Sequence, residues 1–154
     1  MNAWLVKSEP SVFSFSHLQA SPGGTAAWDG VRNYQARNFL RDMRPGDPVL
    51  FYHSVEAPTA IVGLCEVNAA AVPDETQFDP ASDYFDPKAT RDAPRWLQVE
   101  VRAVRAFANP VTLDALRADP RAAGMELLRR GSRLSVQPVR PEELAAVLEL
   151  AGPQ

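Results

Sequence analysis

The sequence predicts an α+β fold, a mixed sheet of about five or six short strands with short helices packed on it, a sheet size that is common. Three observations predict it. Apolar, β-rich runs recur at residues 4–8, 49–54, 61–67, 96–107 and 133–137, separated by turn residues. Helical spacing occurs only in brief stretches between them. Fourteen prolines in 154 residues set turns too often for long helices.

Each element has its own justification. Trp4, Leu5 and Val6 lead through Lys7 and Ser8 to Glu9 and Pro10, where proline ends strand pairing. Ser14 is placed to cap a brief helix through Leu18, and Ser21-Pro22-Gly23-Gly24 reads as a flexible turn running on to Trp28. A helix capped by Asn33 puts Ala36, Phe39, Leu40 and Met43 on one face and Tyr34, Arg37, Asn38, Arg41 and Arg44 on the other. Starting it earlier would bring Arg32 into the apolar arc, so residues 28–32 belong to the preceding loop, and the free N–H groups of the first turn face Trp28 and Asp29. Residues 45–48, Pro-Gly-Asp-Pro, make a tight turn into strand 49–54, which is apolar on both faces as a buried strand is. Strand 61–67 pairs with it as a hairpin, and Gly63 marks a bulge or the close approach of another backbone.

The second half is less regular. Residues 73–94 form a proline- and aspartate-rich loop that must pack somewhere, because it carries Phe78, Tyr84 and Phe85. Residues 96–107 alternate, with Leu97, Val99, Val101 and Ala103 on one side. Thr112 caps a helix through Arg117, and Asp119-Pro120 opens another that ends at Arg129-Arg130-Gly131. Arg133, Ser135 and Gln137 then share the polar face of a strand opposite Leu134 and Val136. Pro141 starts a closing helix whose Leu144, Val147 and Leu148 cover the core.

Composition excludes several function classes. The length suits one domain over residues 1–154, and 45% hydrophobic with 23% charged residues is ordinary for a globular chain. The one cysteine, Cys65, sits in an apolar run, so a disulfide framework and a cysteine-rich zinc site are excluded and a reducing compartment is expected. Lys7 follows the first apolar residues too closely for a signal sequence, and no apolar run approaches the ~20 residues of a membrane span, so a cytoplasmic location without membrane contact is expected. His17 and His53 lack metal-site spacing and no glycine-rich phosphate loop occurs, so neither metal nor cofactor is expected. A net charge of −3 and a pI near 5.4 argue against strong non-specific duplex binding. The distribution still permits a local basic patch, since residues 32–44 hold four arginines against Asp42 while residues 74–92 are rich in acids.

WDGVRNYQARNFLR at 28–41, followed by GDPVLFYHS at 46–54, resembles the EVE domain family, whose fold is similar to the PUA and YTH domains. AWLVKSEP at 3–10, TQFDP at 76–80, YFDP at 84–87 and RLSVQP at 133–138 extend the resemblance over nearly the whole chain. It implies a PUA-like pseudo-barrel of mixed, strongly bent sheet with short flanking helices. It also implies nucleic acid, DNA or RNA, as the partner, and a pocket able to hold a modified base.

The residues themselves supply candidates for that pocket. Trp28 and Tyr34 offer stacking faces, while Arg37, Asn38 and the cap Asn33 offer donors for the edge of a planar ring. Ser8, His53, Ser54, Ser135 and Gln137 lie at strand ends or on a polar strand face, where short donors and acceptors line cavities. On this reading Trp28, Tyr34, Asn38 and Ser54 converge on a cavity the size of a base. Arg41, Arg44 and Arg133 are the candidate phosphate ligands. The competing reading makes Trp28 and Tyr34 peripheral core residues and the arginines a solvated face, which is the default for charge. For Ser54 and Gln137 ordinary turn or strand hydrogen bonding is an equal alternative, and for Arg133 a salt bridge to the acidic loop.

An enzymatic alternative is a small amidohydrolase-like activity on acylated nucleosides, of the type found among PUA-like relatives. It would draw on Lys7, Ser8 and Glu9, where a strand sets Lys7 and Glu9 on one side. His53 with Ser54 or Cys65 is the other nucleophile pair, but no third group orients it and a thiol inside an apolar strand is inert. Recognition without catalysis is the function the sequence favours.

Overall fold

Ala-Trp-Leu-Val at the head of the chain is apolar at every position, and the computed structural model, which describes residues 1–153, places it inside a sheet. The strand β1 (Ala3–Ser8) pairs in parallel with β3 (Pro48–His53), Trp4 opposite Val49, and antiparallel with β6 (Val136–Val139). Its side chains alternate between two cores: Trp4 and Val6 enter one, Ala3 and Leu5 the other. β3 does the same with Val49 and Phe51 against Leu50 and Tyr52, which is why both strands read as continuous apolar runs.

The sheet is completed by β2 (Thr25–Trp28) and two long strands, β4 (Ala60–Pro73) and β5 (Leu97–Thr112), in the order β2-β5-β4-β3-β1-β6. β4 and β5 are longer than their sequence patterns because bulges interrupt the alternation along both. One irregularity lies at Gly63, where a Cβ would come within 2.6 Å of the Phe15 ring. Gly63 thus marks a bulge, as anticipated, while the group that comes close to it is the Phe15 side chain and not another backbone. Bulges increase local twist, and here the sheet curls until its two edges face each other. Residues of β2 and Ser135, just ahead of β6, line a common cavity.

Short helices cover the curled sheet. After α1 (Pro10–Phe13), Ser14 caps α2 (Phe15–Ala20) through a reciprocal capping box with His17. α3 (Tyr34–Asp42) starts where Asn33 Oδ1 accepts the Ala36 N–H, and it buries Ala36 and Leu40 in the first core. Asp47, in the turn after it, accepts from both the Trp4 indole and the Arg44 amide at 3.0 Å, tying the end of α3 to β1. Thr112 caps α4 (Leu113–Ala118), and α5 (Pro141–Ala151) closes the second core with Ala146, Val147 and Ala151.

Three departures from the sequence pattern have physical reasons. β2 is Thr-Ala-Ala-Trp, weak in β propensity, and exists because β5 pairs with all four of its residues. Residues 119–131 make turns and one 3-10 turn, Glu126–Leu128, where the start signal Asp119-Pro120 and the stop signal Arg129-Arg130-Gly131 predict a helix: Asp119 turns its carboxylate onto the Arg121 amide, and Gly124 disfavours helix in the middle of the segment. β6 begins at Val136 instead of Arg133, so Arg133 and Ser135 stand on an approach segment.

The long loop 74–95 is held from within. Asp74 is inaccessible to solvent and accepts from the Gly30 amide at 2.8 Å, Arg32 Nη1 at 3.0 Å, and both the amide and hydroxyl of Thr76. Gln77, equally buried, donates to the carbonyls of Asp74 and Trp96 and accepts from the amides of Arg95 and Trp96. The Trp96 indole in turn donates to Asp86 at 2.8 Å. Burial alone would raise the Asp74 pKa, but the hydrogen bonds from Thr76, Gly30 and Arg32 outweigh it and hold the carboxyl below its ordinary value.

Asp74→Ala leaves Arg32 and the Gly30 amide without their acceptor and should destabilise the fold by about 3 kcal/mol in urea titrations. A carboxyl depressed by folding stabilises above its unfolded pKa, so the parent should lose this contribution as pH falls below about 4, while the variant should not. Gly63→Leu, which drives a side chain into the Phe15 ring, should cost about 1–3 kcal/mol in the same assay.

Candidate nucleic-acid interface

The cavity between the sheet edges is about 550 Å³, inside the ~300–1,000 Å³ range of sites that enclose small ligands. Trp28 forms one wall. It is 8% exposed and held edge-to-face by Phe51 at 5.5 Å and Phe13 at 6.2 Å, so its orientation is set by the first core. Phe13 and the exposed Val12 of α1 border it, and the end of β1 contributes Lys7 and Ser8. Opposite them run residues 29–32, covered by Tyr84.

Tyr84 reaches the cavity because of its neighbours. Gly30 has φ +77°, and a Cβ there would lie 2.8 Å from the Tyr84 ring, so only glycine lets the aromatic settle on this backbone. Arg32 grips the Tyr84 carbonyl with Nε and Nη2 at 3.1 and 2.7 Å, and its guanidinium lies 5.6 Å from the Tyr84 centroid and 5.3 Å from that of Trp96. With Asp74 and Thr76 also bonded, Arg32 is spent on positioning the wall.

Polar groups of both signs face this space. Asp29 stands on the rim, and partial loss of water together with the charge of Asp74 raises its pKa against the opposing pull of Arg32. Burial lowers the Lys7 pKa, opposed by Glu126. The Ser8 hydroxyl donates to the Phe13 carbonyl at 2.6 Å, leaving its lone pairs as acceptors.

Of the residues that the sequence singles out for a base, Trp28, Ser8 and Ser135 line this cavity, as do Lys7 and Glu9 of the hydrolase alternative. Tyr34, Arg37 and Asn38 do not. Tyr34 stacks on Trp96 with ring centres 4.7 Å apart; Arg37 lies 4.8 Å over Tyr34, donates to the Arg95 carbonyl and bonds Asn38 Oδ1. These three fasten α3 to the start of β5, outside the cavity. The convergence of Trp28, Tyr34, Asn38 and Ser54 is therefore not what the chain builds.

The remaining candidates are also engaged elsewhere. His53 Nε2 accepts the Phe15 amide at 3.1 Å, and burial lowers its pKa against the pull of Glu56, which suits a neutral acceptor. Ser54 donates its amide to Ser8 O, Gln137 is buried and donates to the Leu134 carbonyl, and Asn33 spends Oδ1 on its cap. Arg41 and Arg44 are exposed on or just beyond α3 and do not line this cavity, whereas Arg133 borders a second, smaller one. Asp29, Arg32 and Tyr84 escape sequence reasoning as site residues. The visible signal for them is the pair of motifs WDGVR and YFDP, one with a glycine beneath, the other with an aromatic above.

Burial pushes the Cys65 thiol far up, so it is no nucleophile at neutral pH. Among the described residues no group of three or more His, Cys, Asp or Glu side chains is placed to hold a metal, and no helix is long and apolar enough to cross a membrane.

Comparison with known proteins agrees with this architecture. A family model described as the EVE domain matches residues 2–150. Mouse thymocyte nuclear protein 1 is 42% identical over 166 residues, an overlap covering 97% of this chain and 73% of the relative. A crystal structure of human THYN1 protein in complex with DNA containing 5-methylcytosine superposes with a TM-score of 0.90 at 39% identity, covering 100% of this chain and 99% of that one. The YTH domain of Zygosaccharomyces rouxii MRB1, solved with N6-methyladenosine RNA, has a TM-score of 0.54 at 14% identity over 99% of this chain and 85% of its own, which establishes a shared PUA-like fold alone. By sequence and by fold, the chain belongs to the EVE domain family.

Proposed function

We propose that this protein reads a modified base in a nucleic-acid strand, without turnover, by taking the base out of its stack and into the Trp28 cavity. The observation that carries this is the cavity itself: a space of ligand size, walled by Trp28, Phe13 and Tyr84 and rimmed by Asp29, Lys7, Ser8 and Ser135. Flat aromatic walls suit any base, and a few polar groups at the edge select one. The complex of the human relative with 5-methylcytosine DNA supports a methylated cytosine as the base.

The rim chemistry matches that choice. Cytosine differs from thymine in offering an amino donor where thymine has a carbonyl, while 5-methylcytosine and thymine share the methyl group. Asp29 as a carboxylate is the acceptor for that amino group, Lys7 is a donor for the ring acceptors, and the methyl group lies against the aromatic walls. The acidic net charge of −3 fits a protein whose affinity comes from the base more than from a broad phosphate contact.

Recognition is favoured over hydrolysis by the state of Ser8. Its hydroxyl hydrogen is given to a backbone carbonyl, so no base stands ready to remove it, although Lys7 and Glu9 border the same cavity.

Single-stranded DNA carrying one 5-methylcytosine should bind more tightly than the same strand with thymine. Asp29→Ala, on the exposed rim, should erase most of that preference, about tenfold, with folding intact. Equal binding of the two strands by the parent would remove the base-reading proposal. Binding that requires the Asp29 carboxylate should weaken as pH falls through its raised pKa, above the ordinary value near ~3.9; thymine strands and Asp29→Ala should lack this component. Because Trp28 belongs to the core, Trp28→Phe is the appropriate stacking variant, and it should reduce affinity for both strands without unfolding the chain.

A further inference from the structure

A second cavity of about 320 Å³ lies where the first turn of α3 meets the segment ahead of β6, and its lining is strongly basic. Arg129, Arg130 and Arg133 line it beside Asn33 and Gln35, with Glu126 as the one acid. Glu126 is already engaged, accepting from the Ser132 hydroxyl at 2.9 Å and pairing with Arg129 at 3.7 Å. Arg130 and Arg133 pair with no carboxylate among the described residues. In a chain with 19 acidic and 16 basic side chains, two unpaired guanidinium groups beside a third in one concavity leave a local positive field. α3 adds to it, since Asn33 satisfies the Ala36 amide while those of Tyr34 and Gln35 have no partner within the helix.

The two cavities share their walls. Arg32 lines the first and Asn33 the second; Ser135 lines the first and Leu134 the second. Consecutive Cα atoms are about 3.8 Å apart, so a ridge about one residue wide separates the two spaces. Burial lowers the Lys7 pKa in the first cavity, and the charge of Glu126, which lines the second, opposes that shift. A strand with a base in the first space would carry its nearest backbone phosphates past this ridge toward the second.

We propose that the second cavity is a phosphate site, in which Arg130 and Arg133, with the first turn of α3, hold the backbone phosphate directly beside the base in the Trp28 cavity. This rests on reading the Trp28 cavity as the base site. The phosphate roles of Arg41 and Arg44 are then secondary, because those side chains border neither space. A phosphodiester within a strand and a terminal phosphate on a mononucleotide present the same chemistry, and the experiment separates them.

The experiment uses the full chain and a single-stranded DNA with one 5-methylcytosine, in which each flanking linkage is replaced in turn by a neutral methylphosphonate. The parent should lose about tenfold in affinity at one linkage adjacent to the modified base and little elsewhere. The double variant Arg130→Ala/Arg133→Ala should bind the all-phosphate strand about tenfold more weakly and be indifferent to that replacement. It should keep the preference for 5-methylcytosine over thymine and show a salt slope shallower by about 0.7. Both side chains are exposed, so the variant should fold normally, which thermal unfolding checks. Uniform tolerance of neutral linkages by the parent, or parental affinity in the variant, overturns the phosphate site. Linkage sensitivity that the variant abolishes, in a parent without base preference, upholds the phosphate site and removes the base-reading proposal instead. Comparing 5-methyldeoxycytidine with its 3′- and 5′-monophosphates identifies the source: a gain from one monophosphate that the variant loses places a terminal phosphate there as well, and no gain restricts the site to a strand.

Discussion

The candidate site depends on a carboxylate that never meets it. Asp74 lies out of solvent beneath the cavity wall and receives Gly30, Arg32 and Thr76 at once. Removing a charge from water is costly, and only this full set of donors offsets the cost. The same bonds set the backbone after Trp28, aim Arg32 at the Tyr84 carbonyl, and begin the loop that carries Tyr84 over Gly30. Gln77 then returns that loop to Trp96 at the head of β5. Asp74, with Thr76 and Gln77 of the TQFDP motif just after it, is therefore the support on which the distant WDGVR takes its shape.

Much of the fold was legible in the residues, because local rules governed it. The doubly apolar β3, the Asn33 cap, the buried stripe of α3 and the glycine at position 63 all follow from periodicity, capping and steric need. β2 was not legible, since two alanines carry no strand signal and the pairing partner arrives about 75 residues later in the chain. The turns at 119–131 were missed because Asp-Pro and Arg-Arg-Gly, which open and close a helix, open and close successive turns equally well.

The site was only half legible, for a related reason. A helical wheel separates the buried face of α3 from the other face but cannot tell what covers the latter. Tyr34, Arg37 and Asn38 read as a free donor surface, whereas the chain brings Trp96 and the Arg95 carbonyl back onto them. Gln137 likewise alternates as an open polar residue, yet its amide serves the Leu134 carbonyl inside the protein. Trp28, Ser8 and Ser135 were found because strand ends and aromatic loop residues gather where a curled sheet opens. Asp29, Arg32 and Tyr84 required knowledge of which loops meet, information that resides in contacts across more than 40 positions.

The curl of the sheet has a consequence for how the molecule meets its own copies. Its two border strands, β2 and β6, have only four residues each; behind them β5 is paired on its β2 side over residues 99–102 and β4 on its β3 side over residues 60–66. On either border strand an incoming strand from a neighbouring molecule would find only four residues in a row, and on β2 it would end at Trp28, the aromatic wall of the cavity. The opening beside Trp28 thus lies where the border strands are short, and the same shortness leaves those borders a poor template for edge-to-edge association.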